Sequence, residues 1–200
     1  MEVTKVRRGS VFRKTKETEI QASVVLDGEG KAEAETGVGF FDHMLAALAA
    51  HGGFDIEARC VGDLHVDCHH TVEDVGIALG TAFAEATADK SGIARYGGFT
   101  VPMDEALASC HVDLCGRAAF VFNGGFDAPT IGAMDSQMVK EFFKAFAMNA
   151  KLALHVNIHY GENDHHKCEA AFKAFAHALK AAVRLEAAGE GRTLSTKGVL

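Results

Sequence analysis

The sequence predicts an α+β fold made by internal duplication of a helix-backed β-sheet unit. Three observations predict it. The signature H-H-x-x-E occurs twice, as His69-His70-Thr71-Val72-Glu73 and as His165-His166-Lys167-Cys168-Glu169, 96 residues apart. Each copy leads into an Ala-rich apolar segment. The order of strand-like and helix-like patterns before the first copy recurs before the second, as expected of a duplicated supersecondary unit.

The elements follow in order. Residues 18–26 alternate as a strand, and Asp27-Gly28-Glu29-Gly30 is expected to close a hairpin. Residues 40–50 form an apolar helix, with His51-Gly52-Gly53 as its C-terminal stop. Residues 54–61 return to strand, and residues 72–88 form a second helix with the first H-H-x-x-E at its start. In the second half, 106–114 and 118–122 read as strands around the turn Cys115-Gly116-Arg117. A helix is expected over 135–150 and a strand over 152–160, where Leu154, Val156 and Ile158 alternate. A loop over 161–164 leads into a helix over 167–187 that carries the second signature. The expected division is a first half (1–95), a second half (96–190) and a Gly/Ser/Thr/Lys-rich tail (191–200) extending from the core.

Composition narrows the function. Two hundred residues, 48% hydrophobic, can bury a real core. A net charge of −7 argues against nucleic acid and anionic membrane surfaces, and no apolar run approaches the roughly 20 residues of a membrane span. The five cysteines are odd in number and include no C-x-x-C pair, and no apolar signal segment stands at the start. They are expected to be thiols in a reducing cytoplasm.

The chemistry lies in the repeat. On a helix the first His and the Glu of H-H-x-x-E are i,i+4 and the second His and the Glu are i,i+3, so all three share roughly one face. Two imidazoles and a carboxylate suit Mn, Fe or Zn. Solvated histidines at two polar helix starts are the bland alternative, and the matched flanks disfavour it. Aligning 54–61 with 152–159 sets His43 opposite Glu141, so each half offers a fourth ligand from its first helix. The sets are His43, His69, His70, Glu73 and Glu141, His165, His166, Glu169. Vicinal histidines point about 100° apart on a helix, so one ion does not easily take both. Each ion is therefore expected to take ligands from both halves, or from two subunits. Arg95 and Arg117 lie in Gly-flanked turns and could clamp a phosphate bidentately. Lys197 resembles an anion-binding tail, whereas Glu17 alone is an ordinary surface Glu. A metal-buffering protein or a dinuclear metallohydrolase would also explain the clusters.

Phe40-Phe41-Asp42-His43-Met44-Leu45, Asp67-Cys68-His69-His70-Thr71-Val72-Glu73-Asp74, Asn163-Asp164-His165-His166, Phe172-Lys173-Ala174-Phe175 and Ser195-Thr196-Lys197-Gly198-Val199-Leu200 resemble, in order and spacing, the imidazoleglycerol-phosphate dehydratases of histidine biosynthesis. The likeness runs from about residue 5 to residue 200. It implies a duplicated helix-backed mixed β-sheet unit like domain 2 of ribosomal protein S5. It implies two Mn(II) per active site and a large homo-oligomer with active sites between subunits. The reaction it implies turns imidazole glycerol phosphate into imidazole acetol phosphate and water. By the same resemblance His43, His69, His70, Glu73, His165, His166 and Glu169 match metal ligands, with Glu141 standing where some relatives have His. Glu17 matches a substrate-contacting carboxylate with an acid/base role, and Arg95, Arg117, Lys173 and the stretch Ser195-Thr196-Lys197 match substrate or phosphate contacts. Ala47 and Thr130 depart from the pattern, since some relatives carry Gln and a basic residue there to hold the phosphate.

Overall fold

The structure, a computed structural model, describes residues 6–186 and 194–195. The first half consists of β1 (Arg8–Lys14), β2 (Thr18–Val25), β3 (Ala32–Glu35), α1 (Gly39–Gly52), β4 (Asp55–Gly62) and α2 (His69–Ala86). The second consists of β5 (Tyr96–Met103), β6 (Ala106–Asp113), β7 (Ala119–Asn123), the short pair β8 (Thr130–Ile131) and β9 (Met134–Asp135), α3 (Gln137–Ala150), β10 (Ala153–Tyr160) and α4 (Asp164–Val183). The sheets run β1-β2-β4-β3 and β5-β6-β10-β7. In each, the first three strands are antiparallel and the last pairs parallel with its neighbour. The α+β fold with a duplicated, mixed-sheet unit is therefore observed.

Helices α1 and α2 cover the inner face of the first sheet, and α3 and α4 that of the second. Across the molecule α1 packs on α4 and α2 on α3, so the four helices form the layer between the sheets. Period-two patterning places the core: Ile56, Ala58 and Cys60 of β4 and Leu154, Val156 and Ile158 of β10 turn inward. A phenylalanine cluster joins the halves. Phe41 of α1 meets Phe142 of α3 at 5.2 Å between ring centroids, Phe143 meets Phe172 of α4 at 4.8 Å, and Phe83 of α2 meets Phe146 at 5.5 Å. Such pairs contribute about 0.5–1.5 kcal/mol each beyond their buried area. This helix layer fixes which ends of which helices meet, and so it positions the site.

Two expected turns proved to be something else. Residues 27–30 do turn, but β2 and β3 do not pair with each other, because β4 lies between them. Asp55 Oδ1 at the start of β4 accepts the Glu29 N–H (2.8 Å) and the Lys31 N–H (3.0 Å), which ties the turn to β4 instead of closing a hairpin. Likewise β10 separates β6 from β7. Strands β1 and β5 carry no clear alternating signal. Both are edge strands, and Arg8, Arg13 and Lys14 in one and Gly97, Gly98 and Pro102 in the other suit an exposed edge.

Glycine at equivalent points of these edges lets the helices come close. A Cβ on Gly97 would lie 1.9 Å from the Ala178 carbonyl oxygen of α4, and one on Gly9 would lie 2.0 Å from that of Ala82 in α2. Both obstacles are backbone, so a helix must move. Gly97→Ala is expected to destabilise the protein by about 2–3 kcal/mol in denaturant unfolding. Gly125→Ala, with nothing within 4 Å of the added carbon, is expected to change stability by less than about 0.5 kcal/mol. Equal effects of the two substitutions would contradict the close-approach account.

Candidate active site

Both H-H pairs lie in the first turn of their helices, three residues ahead of the expected starts at 72 and 167. The cause is local. Asp67 Oδ1 accepts the His69 N–H at 2.7 Å, and Asn163 Oδ1 accepts the His165 N–H at 2.9 Å. An Asp or Asn two residues before the first His thus satisfies an otherwise orphaned helix-start donor in each half.

One cluster forms where α1 meets α4. His43 Nε2 lies 3.4 Å and His165 Nε2 3.1 Å from the same oxygen of Glu169, Oε2. The ligand atoms of these three residues all fall within 4.8 Å of one another. Glu169 is 7% exposed, and its other oxygen accepts from Lys173 Nζ at 2.8 Å. Burial pushes its carboxyl up, but the Lys173 hydrogen bond and charge, helped by His165 and His43, outweigh that and hold it below its ordinary value. The carboxylate is therefore ionised and ready to bind a cation. Phe40 sets its ring edge-on to His165 at 5.1 Å.

The equivalent residues lie where α2 meets α3, but among the described residues they do not close into a ligand triad like that of His43, His165 and Glu169. His69 Nε2 lies 3.7 Å from Glu73 Oε2, one helical turn on. His69 and Glu141 of α3 line one cavity of about 260 Å³ with Asp67, Cys68, Asp135, Gln137 and Met138. Glu141 also accepts from Lys144 at 3.1 Å. Each set thus draws on the first helix of one half and the second helix of the other.

The second histidine of each pair faces elsewhere. The His70 ring stands at 73° to that of His69, and the His166 ring at 82° to that of His165. His70 Nδ1 lies 3.0 Å from the Asp63 carboxylate, and its Nε2 is 3.8 Å from Glu17 Oε1. His166 Nδ1 lies 2.8 Å from Glu105 Oε2, and its Nε2 is 3.6 Å from Asp104. Asp63 raises the His70 pKa and Glu105 raises that of His166. Glu105 in turn is lowered to about 2, by His166 first and then by the backbone N–H groups it accepts.

The anion-binding candidates are spread out. Arg95 Nε and Nη2 donate to the two oxygens of Asp113 at 2.7 and 3.1 Å, and Nη1 donates to the Leu194 carbonyl at 2.6 Å. It thereby ties the chain just before Ser195 to β6. Arg117 is exposed on the turn after β6. Lys173 is brought to Glu169, one turn along α4. Ser195 is half-buried, and Thr196 and Lys197 lie outside the described residues. Among the remaining histidines, His155 sits on β10 opposite His111, away from both clusters.

A family model for imidazoleglycerol-phosphate dehydratase matches residues 36–179. The chain belongs to the imidazoleglycerol-phosphate dehydratase family. The enzyme of that name from Methanosarcina mazei is 52% identical over 196 residues, which is 98% of this chain and all of that one. The Clostridium kluyveri enzyme is 49% identical over 98% of this chain and 100% of its own. Among solved structures, the Staphylococcus aureus dehydratase superposes with a TM-score of 0.81 at 36% identity, over 90% of this chain and 99% of that one. The Pyrococcus furiosus enzyme, solved in complex with (S)-C348, gives 0.81 at 34% identity, over 95% and 100%.

Imidazoleglycerol-phosphate dehydratases are hydro-lyases of histidine biosynthesis. Within this dehydratase, Ala47 is buried in α1 and Thr130 is exposed on β8, so neither supplies a long polar arm. The sequence reading did not find Asp63 or Glu105. Asp63 stands seven residues before His70, across the irregular segment between β4 and α2, where spacing along the chain carries no signal. Glu105 is 61 residues from His166, and only the folded turn between β5 and β6 brings it there.

Proposed function

We propose that the chain is a metal-dependent dehydratase that converts imidazole glycerol phosphate to imidazole acetol phosphate and holds two Mn(II) per active site. The observation that carries this reading is the Glu169 carboxylate with two imidazole nitrogens at 3.1 and 3.4 Å. Ligand atoms bound at about 2.1 Å to one ion lie about 3 Å apart, so the donor set fits a bound cation with little movement. Imidazole and carboxylate together suit Mn(II), and the His69, Glu73 and Glu141 set is a second, chemically similar site.

The Nε2 atoms of His70 and His166 face Glu17 and Asp104, away from their own clusters. Donated to ions held by other copies, these nitrogens would complete active sites between the subunits of a large homo-oligomer. When bound, the metal supplies Lewis-acid polarisation of the imidazole and of the departing hydroxyl. The rest is done by side chains. Glu17, exposed on the β1–β2 turn and 3.8 Å from His70 Nε2, takes the proton from carbon. The hydroxyl on the neighbouring carbon leaves as water, and the resulting enol becomes the ketone. Lys173 keeps Glu169 ionised. Arg95, Arg117, Ser195, Thr196 and Lys197 hold the phosphate and so orient the reacting carbons.

The test is a coupled assay in which the purified chain, stripped by chelator and reloaded, is given imidazole glycerol phosphate. The ketone is read as enolate absorbance in alkali. Product is expected with Mn(II) and not without it. Full turnover by the stripped protein would overturn the metal-dependent reading. Arg95→Lys keeps the charge but loses the forked geometry that grips Asp113 and the Leu194 carbonyl. It is expected to raise KM roughly 10-fold or more with a smaller change in kcat, as for a lost binding contact. An unchanged KM would remove Arg95 from the phosphate grip.

A further inference from the structure

We infer that Asp63 and Glu105 are positioning residues, each holding its histidine, His70 or His166, with Nδ1 protonated and Nε2 turned outward as a metal-binding lone pair. The inference rests on the metal reading above and extends it to residues outside the H-H-x-x-E signature.

The imidazole ring itself sets the requirement. In a neutral ring one nitrogen donates and the other accepts, and a carboxylate can only accept. A carboxylate against Nδ1 therefore places the hydrogen there and leaves Nε2 without one, and Glu17 and Asp104 lie beyond hydrogen-bond reach of it, at 3.8 and 3.6 Å. Histidines that bind metals commonly donate their other N–H in this way, which fixes both tautomer and ring angle. Asp63 meets His70 Nδ1 through both oxygens, at 3.0 and 3.1 Å. Glu105 meets His166 Nδ1 through one, at 2.8 Å.

The pattern is selective. His43, His69 and His165 pair through Nε2 with Glu169 or Glu73, and among the described residues none has a carboxylate against Nδ1. His43 and His165 also lie against each other, and His165 against Phe40, so packing already limits those two rings. Among the described residues His70 and His166 have no such ring neighbours beyond the adjacent histidine, and these are the rings that must hold an angle facing away from their own cluster.

The halves reach the same contact by unrelated routes. Asp63 follows β4, and its N–H is fixed by the Glu17 carbonyl at 3.1 Å. Glu105 sits in the β5–β6 turn, and its second oxygen accepts the Glu162 and Asn163 N–H groups at 3.1 and 2.8 Å. Duplication alone does not explain this, because the two carboxylates occupy non-equivalent places in the repeat. A shared requirement on the histidine does.

The experiment titrates Mn(II) into the assembled, metal-stripped protein by calorimetry, with the melting temperature of the metal-free form recorded beside it. Asp63→Ala and Glu105→Ala are each expected to weaken Mn(II) binding about 10–100-fold. Asp63→Asn and Glu105→Gln, whose amide oxygen can still accept from Nδ1, are expected to recover part of that loss. Asp63 is the cleaner position, because Glu105 also clamps the loop before α4. A fall in melting temperature with unchanged Mn(II) affinity in the Asp63 and Glu105 variants would overturn the inference, and if His70→Ala still weakened binding, the metal reading would survive. Absence of Mn(II) binding by the unmodified protein would overturn both.

Discussion

Glu169→Gln is expected to lower kcat/KM by about 10³-fold, because metal-assisted charge stabilisation contributes several kcal/mol and about 4 kcal/mol corresponds to three decades. The substitution keeps the shape and removes the charge. In the folded protein one oxygen of Glu169 faces both His43 and His165, and the other faces Lys173. A neutral amide is a poor ligand, and it leaves the Lys173 ammonium, 20% exposed, without its anion. Two readouts should therefore move together, with Mn(II) affinity falling along with turnover. Normal Mn(II) affinity with lost turnover would show that Glu169 acts on substrate and not on metal. Normal values of both would remove it from the site.

Glu17→Gln is expected to lower kcat by about 10²–10⁴-fold, the usual range for a general base, while KM changes little. Glu17 is exposed at the tip of the β1–β2 turn, where no fold requirement calls for an acid. What places it in the chemistry is its distance of 3.8 Å from His70 Nε2, the nitrogen expected to face an ion. A base beside the metal is near the side chain of the imidazole ring, where the hydroxyl leaves from the ring-attached carbon and the next carbon must lose its proton. The fold should be untouched, since among the described residues the hydrogen bonds at Glu17 are made by its backbone, the N–H to Thr15 Oγ1 and the carbonyl from the Asp63 N–H. Near-normal turnover in this variant would assign the proton transfer to another group.

The central layer of this fold was legible because its signals are periodic. Leu154, Val156 and Ile158 alternate, Gly53 stops α1 in the left-handed conformation, and Lys151 takes the same conformation at the equivalent place in the other half. That correspondence is the alignment that set His43 opposite Glu141. Its structural counterpart is the pairing of α1 with α4 and of α3 with α2, which brings His43 to His165 and Glu169, and Glu141 to His69. The helices expected from 72 and 167 start three residues earlier, because Asp67 and Asn163 each satisfy a helix-start N–H through one hydrogen bond. The edges were missed because charges, Gly and Pro, which protect an edge, also hide its period. Neighbours in the sheets could not be read from a turn sequence, because Asp55 decides where residues 27–30 attach. The carboxylates behind His70 and His166 left no mark at all, since a contact across 61 residues has no local pattern.

The claim that carries the account is that one ion is shared by ligands from both halves of the repeat. Anomalous diffraction at the manganese edge, from crystals of the Mn(II)-loaded protein, tests it directly. The account predicts a peak bounded by His43, His165 and Glu169, and a second beside His69, Glu73 and Glu141. A peak whose protein ligands all come from one half, or loaded crystals with no peak at these residues, would contradict it.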